Sequence, residues 1–231
     1  MTGEATAGND GARQQLASNR KSRGEDVRIR RFGRVLTPRR VVRKACAHSG
    51  RIIGRDMNAM NPNIIIRNET SADVDAITDV TVAAFKTLEI SNQTEQFIVA
   101  ALRGAGALSV SLVAELDGRV VGHIAFSRVT ISGGARDWYG LGPVSVLPEH
   151  QGQGIGKALV REGVSRLKNL NARGCCLVGH PEYYKKLGFR NLPGLVHPGV
   201  PEEVFLAMKF DGAAPQGEVT FHEAFQADGQ P

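Results

Sequence analysis

Three glycines within five residues stand immediately before a helix-like run in the stretch PEHQGQGIGKALVREG, residues 148–163. A strand, a glycine loop and a helix in this order place unpaired backbone N–H groups and the positive end of the helix dipole around an anion. Glycine suits such a loop because a Cβ would hold a phosphate away from the backbone. The stretch therefore predicts a phosphate-binding loop, and the alternative is a turn that merely starts a helix.

The spacing of the glycines distinguishes between phosphate ligands. A P-loop has a glycine five residues before its Gly-Lys pair and a Ser or Thr after it, but Gln151 and Ala158 occupy these places. The dinucleotide fingerprint is G-x-G-x-x-G, whereas the spacing here is G-x-G-x-G. ATP, GTP and NAD are therefore disfavoured.

The loop resembles the acyl-CoA site of the GNAT superfamily, the GCN5-related N-acetyltransferases. The family signature, (Gln/Arg)-x-x-Gly-x-(Gly/Ala), follows a strand that ends in a hydrophobic-x-Val-x-Pro run, and residues 144–148 and 151–156 are similar to these two parts. The resemblance implies that the loop binds the pyrophosphate of acetyl-CoA. The cofactor-binding residues that it implies are Val144, Val146, Gln151, Gly152, Gln153, Gly154, Ile155, Gly156 and Lys157.

A second element, PEYYKKLGF at residues 181–189, is similar to the family's aromatic-Tyr-x-x-x-Gly-Phe element, with Tyr184 at the tyrosine position. Together with the closing run GEVTFHEAF, it indicates a branch of small bacterial predicted acetyltransferases. The resemblance covers residues 63 to about 225. It departs from the wider family at Gly179-His180-Pro181, where many members carry an Asn that contacts CoA, so no CoA contact is assigned there.

The resemblance also implies a mechanism, in which an amine attacks the thioester of acetyl-CoA directly in a ternary complex. Backbone groups of Val144 and Val146 would hold the pantetheine arm, and the N–H of Val146 or Leu147 would polarise the thioester carbonyl. Tyr184 is the catalytic candidate that protonates the departing thiolate. Because full proton transfer from a phenol to a thiolate is uphill by roughly 2 kcal/mol, Tyr184 is expected to act chiefly as a hydrogen-bond donor.

No residue stands out as the general base. Glu95 opens the second predicted helix, His123 lies on the third strand and His180 ends the fifth, and each is more simply explained as a solvated or packed side chain. The base is left unassigned, with a water chain as the alternative. Trp138 and Tyr139 begin the fourth strand and are candidates either for the acceptor side or for packing in the sheet.

The elements that position these residues form one domain over residues 61–231. Hydrophobic periodicity predicts a strand, two helices, three strands, a helix, a strand, a helical turn and a closing strand pair. Ser71 is expected to cap the first helix, and Asp117-Gly118 to form a hairpin turn. The pattern predicts an α/β sheet with helices on both faces, and the resemblance implies a mixed, mostly antiparallel GNAT-like sheet that splays at strands 4 and 5.

Residues 1–60 differ from the rest of the chain in charge. They contain 14 Lys+Arg and 5 Asp+Glu, whereas the remaining residues contain 15 and 18, so a net charge of +6 is divided into +9 and −3. We expect a basic, disordered N-terminal arm, and the alternative is that translation starts at Met57 or Met60. Nucleic acid is expected to bind only through this arm.

Composition limits the location of the protein and the kinds of metal or disulfide site that it could contain. The sequence shows neither an apolar run of the roughly 18 residues that a membrane span needs nor a secretory h-region, which favours the cytoplasm and no membrane partner. Three cysteines without a CxxC pair and six scattered histidines favour reduced thiols and no metal.

The predicted function is an acetyl-CoA-dependent N-acetyltransferase that acts on a primary amine of a small molecule or a protein. One alternative is a non-catalytic CoA sensor that regulates a partner. Another is an acetyltransferase that reaches a nucleic-acid-associated target through the basic arm. A homodimer is left open, since the sequence does not fix the oligomeric state.

Overall fold

The computed structural model describes residues 63–86, 88 and 91–229. The predicted basic arm, residues 1–60, lies outside the described residues. Among the helices of the described part, none is both long and apolar enough to cross a membrane.

The helices and strands follow the predicted order, with two short strands added. The helices are α1 (Val74–Phe85), α2 (Glu95–Gly104), α3 (Ile155–Asn169) and α4 (Pro181–Tyr184). The strands are β1 (Ile64–Asn68), β2 (Leu108–Leu116), β3 (Arg119–Arg128), β4 (Thr130–Ile131), β5 (Trp138–Val146), β6 (Gly174–Val178), β7 (Leu195–Val196), β8 (Phe205–Lys209) and β9 (Gly217–Thr220).

Six strands form the central sheet in the order β1-β2-β3-β5-β6-β8, and every neighbouring pair is antiparallel except β5 and β6. Thr81 of α1 lies 3.1 Å from Ser145, hydroxyl to hydroxyl, on one face. On the other face, Leu159 of α3 packs over Gly122. Gly122 pairs with Val146, and successive residues of a strand point to opposite faces, so Gly122 lies on the face opposite to Ser145. We call these the α1 face and the α3 face. The predicted α/β fold with helices on both faces is confirmed.

The parallel strands β5 and β6 separate after a short paired stretch. Their pairing runs from Trp138 with Gly174 to Gly140 with Cys176. From there to Val146, β3 is the only strand beside β5 among the described residues. β5 and β6 are the fourth and fifth strands of the central sheet, so the predicted splay is confirmed. It leaves backbone groups on one edge of β5 without a neighbouring strand.

The closing strands pair differently from the prediction. β8 lies beside β6, whereas β9 joins β4 and β7 in a separate three-stranded sheet. The predicted closing strand pair is therefore wrong. β4 and β7 are two residues long each, which is too short for alternation to reveal them. The small sheet packs against the α1 face around Trp138, Phe205 and Val219.

The first helix begins differently from the prediction as well. Ser71 lies in a 3-10 turn, Ser71–Asp73, and the carboxylate of Asp73 accepts hydrogen bonds from the N–H and the hydroxyl of Thr70. Arg67 donates to both oxygens of Asp73, at 2.7 and 2.8 Å, and thereby holds the pKa of that carboxyl well below its usual range. The predicted hairpin is confirmed, with positive φ at both residues of the turn, Asp117 and Gly118.

Candidate active site

The predicted phosphate-binding loop connects the end of β5 to the first turn of α3. Gly152 and Gly154 have φ angles of 74° and 88° in open surroundings, so backbone conformation rather than space requires glycine at both positions. Among the described residues, no side chain caps α3, and its first turn contains no acidic residue. The N–H groups of residues 155–157 therefore remain available for an anion.

The open edge of β5 presents the backbone groups of Val144 and Val146. The N–H of Leu147 donates to the Val121 carbonyl oxygen on β3, at 2.9 Å. Because successive residues of a strand direct their N–H and C=O groups to opposite sides, Val146 and Val144 direct theirs away from β3. The expectation that the Leu147 N–H could polarise a carbonyl is wrong, since the sheet already uses it. The N–H groups that remain on the open edge are those of Val146 and Val144.

Two glutamine side chains fix the shape of the loop. Gln151 Nε2 donates to the Val146 carbonyl oxygen at 3.0 Å, and Gln153 Nε2 donates to the Glu149 carbonyl oxygen at 3.1 Å. The first bond ties the loop to the open edge of β5 and satisfies one of its acceptors. Gln151 therefore joins the two parts of the candidate site, a contact that its place in the sequence did not predict.

The two tyrosines of α4 have different surroundings. Tyr184 packs edge-on against Phe189, with 5.7 Å between ring centroids, and its ring fills the space where a Cβ on Gly179 would stand. Burial raises the pKa of Tyr184 above its usual value, and the nearby Tyr183 raises it further, so its hydroxyl stays protonated at neutral pH. The Tyr183 hydroxyl lies beside Gly156 in α3, 3.0 Å from the position of a Cβ there.

Two of the three candidates for the general base already form hydrogen bonds within the fold. Glu95 is held by Ser91, whose Oγ lies 2.7 and 2.8 Å from the two carboxylate oxygens. His123 is fully buried with Nε2 2.8 Å from Ser111 Oγ, and burial lowers its pKa. His180 is exposed at the start of α4.

The remaining candidates pack inside the protein. Trp138 and Tyr139 are each 2% exposed, Trp138 against Gly174 and Tyr139 beneath the guanidinium of Arg128, which favours the packing explanation for both. The thiols of Cys175 and Cys176 are buried, and burial raises their pKa values, so neither is a reactive thiolate. Within the described residues, no group of three or more His, Cys, Asp or Glu side chains could hold a metal ion.

Comparison with known proteins identifies the family. The family model described as the Acetyltransferase (GNAT) domain matches residues 107–191, which include β5, the glycine loop and α4. The uncharacterized N-acetyltransferase YhbS of Escherichia coli K12 is 32% identical over 127 residues, which make up 54% of this chain and 73% of YhbS. The chain belongs to the GNAT family.

Solved GNAT structures agree with the fold described above. A GNAT family acetyltransferase from Brucella melitensis, crystallised with acetyl-CoA, is 49% identical, with a TM-score of 0.63 over 70% of this chain and 97% of that one. E. coli YhbS, crystallised with CoA, is 30% identical, with a TM-score of 0.65 over 72% of this chain and 94% of that one. A second relative, the uncharacterized N-acetyltransferase YjhQ of E. coli K12, is 36% identical, and the match spans only 49% of that relative. At the level of the family, the predicted acyltransferase class and its acetyl-CoA co-substrate are confirmed.

Proposed function

We propose that this GNAT protein transfers the acetyl group of acetyl-CoA to a primary amine by direct attack in a ternary complex. The observation that carries the proposal is the meeting of two main-chain features at one end of β5. The uncapped N-terminus of α3 suits a pyrophosphate, and the open strand edge suits the amide groups of a pantetheine arm. The open edge of β5 and the N-terminus of α3 are neighbours along the chain, just as the pantetheine arm and the pyrophosphate are neighbours along acetyl-CoA.

Each part of the co-substrate has a partner in this arrangement. The N–H groups of residues 152–157 surround the pyrophosphate, and the partly exposed Lys157 side chain lies in the same turn of α3. Val146, next to the loop, pairs with the pantetheine arm. The N–H of Val144, farther along the open edge toward the splay, donates to the thioester carbonyl, whose oxygen gains negative charge during attack and is stabilised by a donor already fixed in place.

Tyr184 donates a hydrogen bond to the sulfur as the C–S bond breaks. Burial, which raises the pKa of its phenol, makes complete proton transfer less favourable and supports the hydrogen-bonding role. The acceptor is a small molecule or a protein with a free amine. A CoA sensor with the same fold would bind the co-substrate without turnover.

The experiment is a calorimetric titration of acetyl-CoA, ATP and NADH into the full-length protein, followed by a thiol-release assay. The amines in the assay are spermidine, a lysine peptide, a peptide with a free N-terminus and 2-phenylethylamine. We expect binding of acetyl-CoA alone, with a Kd on the order of micromolar, and release of CoA that depends on amine. Binding without release by any amine would support the sensor, and failure to bind acetyl-CoA would contradict both functions.

Replacing Gln151 with Ala is expected to raise the KM for acetyl-CoA about 5-fold and to change kcat less. The substitution removes the hydrogen bond between the loop and the Val146 carbonyl, which is worth about 1 kcal/mol and fixes the position of both parts of the site. Steady-state kinetics with acetyl-CoA varied measure this. Gln153→Ala, which breaks a bond within the loop only, is the matched control and should have the smaller effect; equal effects would contradict the special role of Gln151.

A further inference from the structure

One histidine that the sequence did not single out has a ring nitrogen with no hydrogen-bond partner among the described residues. His197 follows β7, and its Nδ1 lies 2.9 Å from the Val219 carbonyl oxygen on β9. A carbonyl oxygen only accepts, so Nδ1 carries the hydrogen and donates it. In this neutral tautomer Nε2 has the lone pair, and among the described residues no hydrogen-bond partner of Nε2 is found. The ring is partly exposed, so a substrate can reach it.

Two phenylalanine rings place His197 beside the splay. Its ring centroid lies 5.9 Å from that of Phe205, which pairs with Val178, the last residue of β6. It lies 5.1 Å from that of Phe221, whose ring comes within 2.5 Å of the position of a Cβ on Gly140. Gly140 is the last residue of β5 that pairs with β6. His197 is therefore close to both strands at the point where they separate.

His197 lies on the face of the sheet opposite the glycine loop. Phe126 packs against Gly163 of α3, and the next residue, Ser127, pairs with Gly140. Gly140 and the Phe221 ring that covers it are therefore on the α1 face. In the proposed function the co-substrate reaches the splay from the α3 face, where the glycine loop begins α3. This leaves the α1 face for the amine.

The surroundings of His197 favour a neutral amine. Phe225 lies 4.9 Å from Phe221, between ring centroids, and 3.9 Å from the position of a Cβ on Gly142, so the apolar wall continues along β5. Next to such a wall an ammonium is less well solvated than in water, which helps it to lose a proton. The charged side chains on the elements packed against His197 are all exposed and screened by solvent: Glu202, Glu203, Lys209, Glu218 and Glu223.

We propose that His197 is the general base of the acetyl transfer, an inference that rests on the proposed function. Nε2 takes one proton from the acceptor ammonium. The nitrogen lone pair of the resulting amine forms the C–N bond while the C–S bond breaks. A second proton of the same nitrogen passes to the CoA sulfur, and the imidazolium of His197 releases its proton to water. The products are the amide, the thiol of CoA and one proton.

The test uses His197→Asn in the full-length protein, because the amide N–H of asparagine can still donate to the Val219 carbonyl while the basic nitrogen is lost. The probe amine is 2-phenylethylamine, whose aromatic ring matches the phenylalanine wall. At pH 7 we expect kcat/KM for this amine to fall about 100-fold, with unchanged acetyl-CoA affinity. The loss should shrink as pH rises, because more of the amine is then already neutral.

Two further measurements separate catalysis from structure. Hydroxylamine is neutral at pH 7 and needs no base, so the variant and the wild-type protein should acetylate it at the same rate. In His197→Ala, added imidazole should restore part of the activity with 2-phenylethylamine. Equal loss with both nucleophiles, or no imidazole rescue, would overturn the role of a base.

The outcomes also separate this inference from the proposed function. If the wild-type protein releases CoA with 2-phenylethylamine and His197→Asn does so equally well, only the role of His197 is overturned. If the wild-type protein binds acetyl-CoA but releases no CoA with any amine in the panel, the proposed function is overturned, and the inference with it.

Discussion

Replacing Gly154 with valine is expected to raise the KM for acetyl-CoA about 100-fold. Gly154 precedes α3 with a φ of 88°, which is strained for a β-branched residue. Relief of this strain would rotate the N–H groups proposed to bind the pyrophosphate. Hydrogen bonds to a charged group contribute about 1.5–3 kcal/mol each, so the loss of one or two gives an effect of this size. Steady-state kinetics at saturating amine would measure it.

Gly106→Val is the matched control for this substitution. Gly106 also has a positive φ, 62°, in open surroundings, but it lies in the turn between α2 and β2, away from the loop. Both variants should lose similar stability in thermal unfolding. Only Gly154→Val should lose affinity for acetyl-CoA, and a KM that stays at the wild-type value in this folded variant would count against the phosphate-binding loop.

Replacing Tyr184 with phenylalanine is expected to lower kcat about 100-fold while acetyl-CoA affinity changes little. The substitution removes the hydroxyl proposed to donate to the departing sulfur but keeps the ring that packs against Phe189. Because burial raises the pKa of Tyr184, its hydroxyl stays protonated as the pH rises. The wild-type kcat should therefore not fall between about pH 7 and 10 through loss of this proton. Single-turnover kinetics would separate the chemical step from product release.

Tyr183→Phe is the natural comparison, since it removes the neighbouring hydroxyl, which lies beside Gly156 rather than on the core side. It should leave kcat near the wild-type value. If Tyr183→Phe instead shows the larger loss of kcat, the donor is Tyr183, and the assignment to Tyr184 is contradicted.

Local patterns in the sequence predicted most of the elements and the glycine loop. The hairpin at Asp117-Gly118 and the helix after Gly154 depend on a few adjacent residues, and both lie where the pattern placed them. The partner of a strand depends instead on residues far away in the chain. For this reason β9 could not be assigned to the small sheet from its own alternation, nor β8 to the edge of β6.

In the candidate site, too, the features that the sequence missed depend on residues far away in the chain. The Leu147 N–H looked as free as that of Val146 because the sequence does not show which one faces β3. His197 stands in the run LVHPGVP, and the only local signal was a histidine in a Pro- and Gly-containing loop near the predicted site. Its Nδ1 partner, Val219, is supplied by a strand whose pairing was not predictable.

The open edge of β5 and the first turn of α3 affect which of the two substrates can change during evolution. In the proposed function, the donors to acetyl-CoA are mostly main-chain amides, which remain in place when the side chains of Val144 or Ile155 are replaced by others of similar shape. In the same proposal, the acceptor side is lined by side chains, among them Phe221 and Phe225, in segments outside the glycine loop. Mutational drift can therefore change the amine that is used while the acetyl donor stays the same.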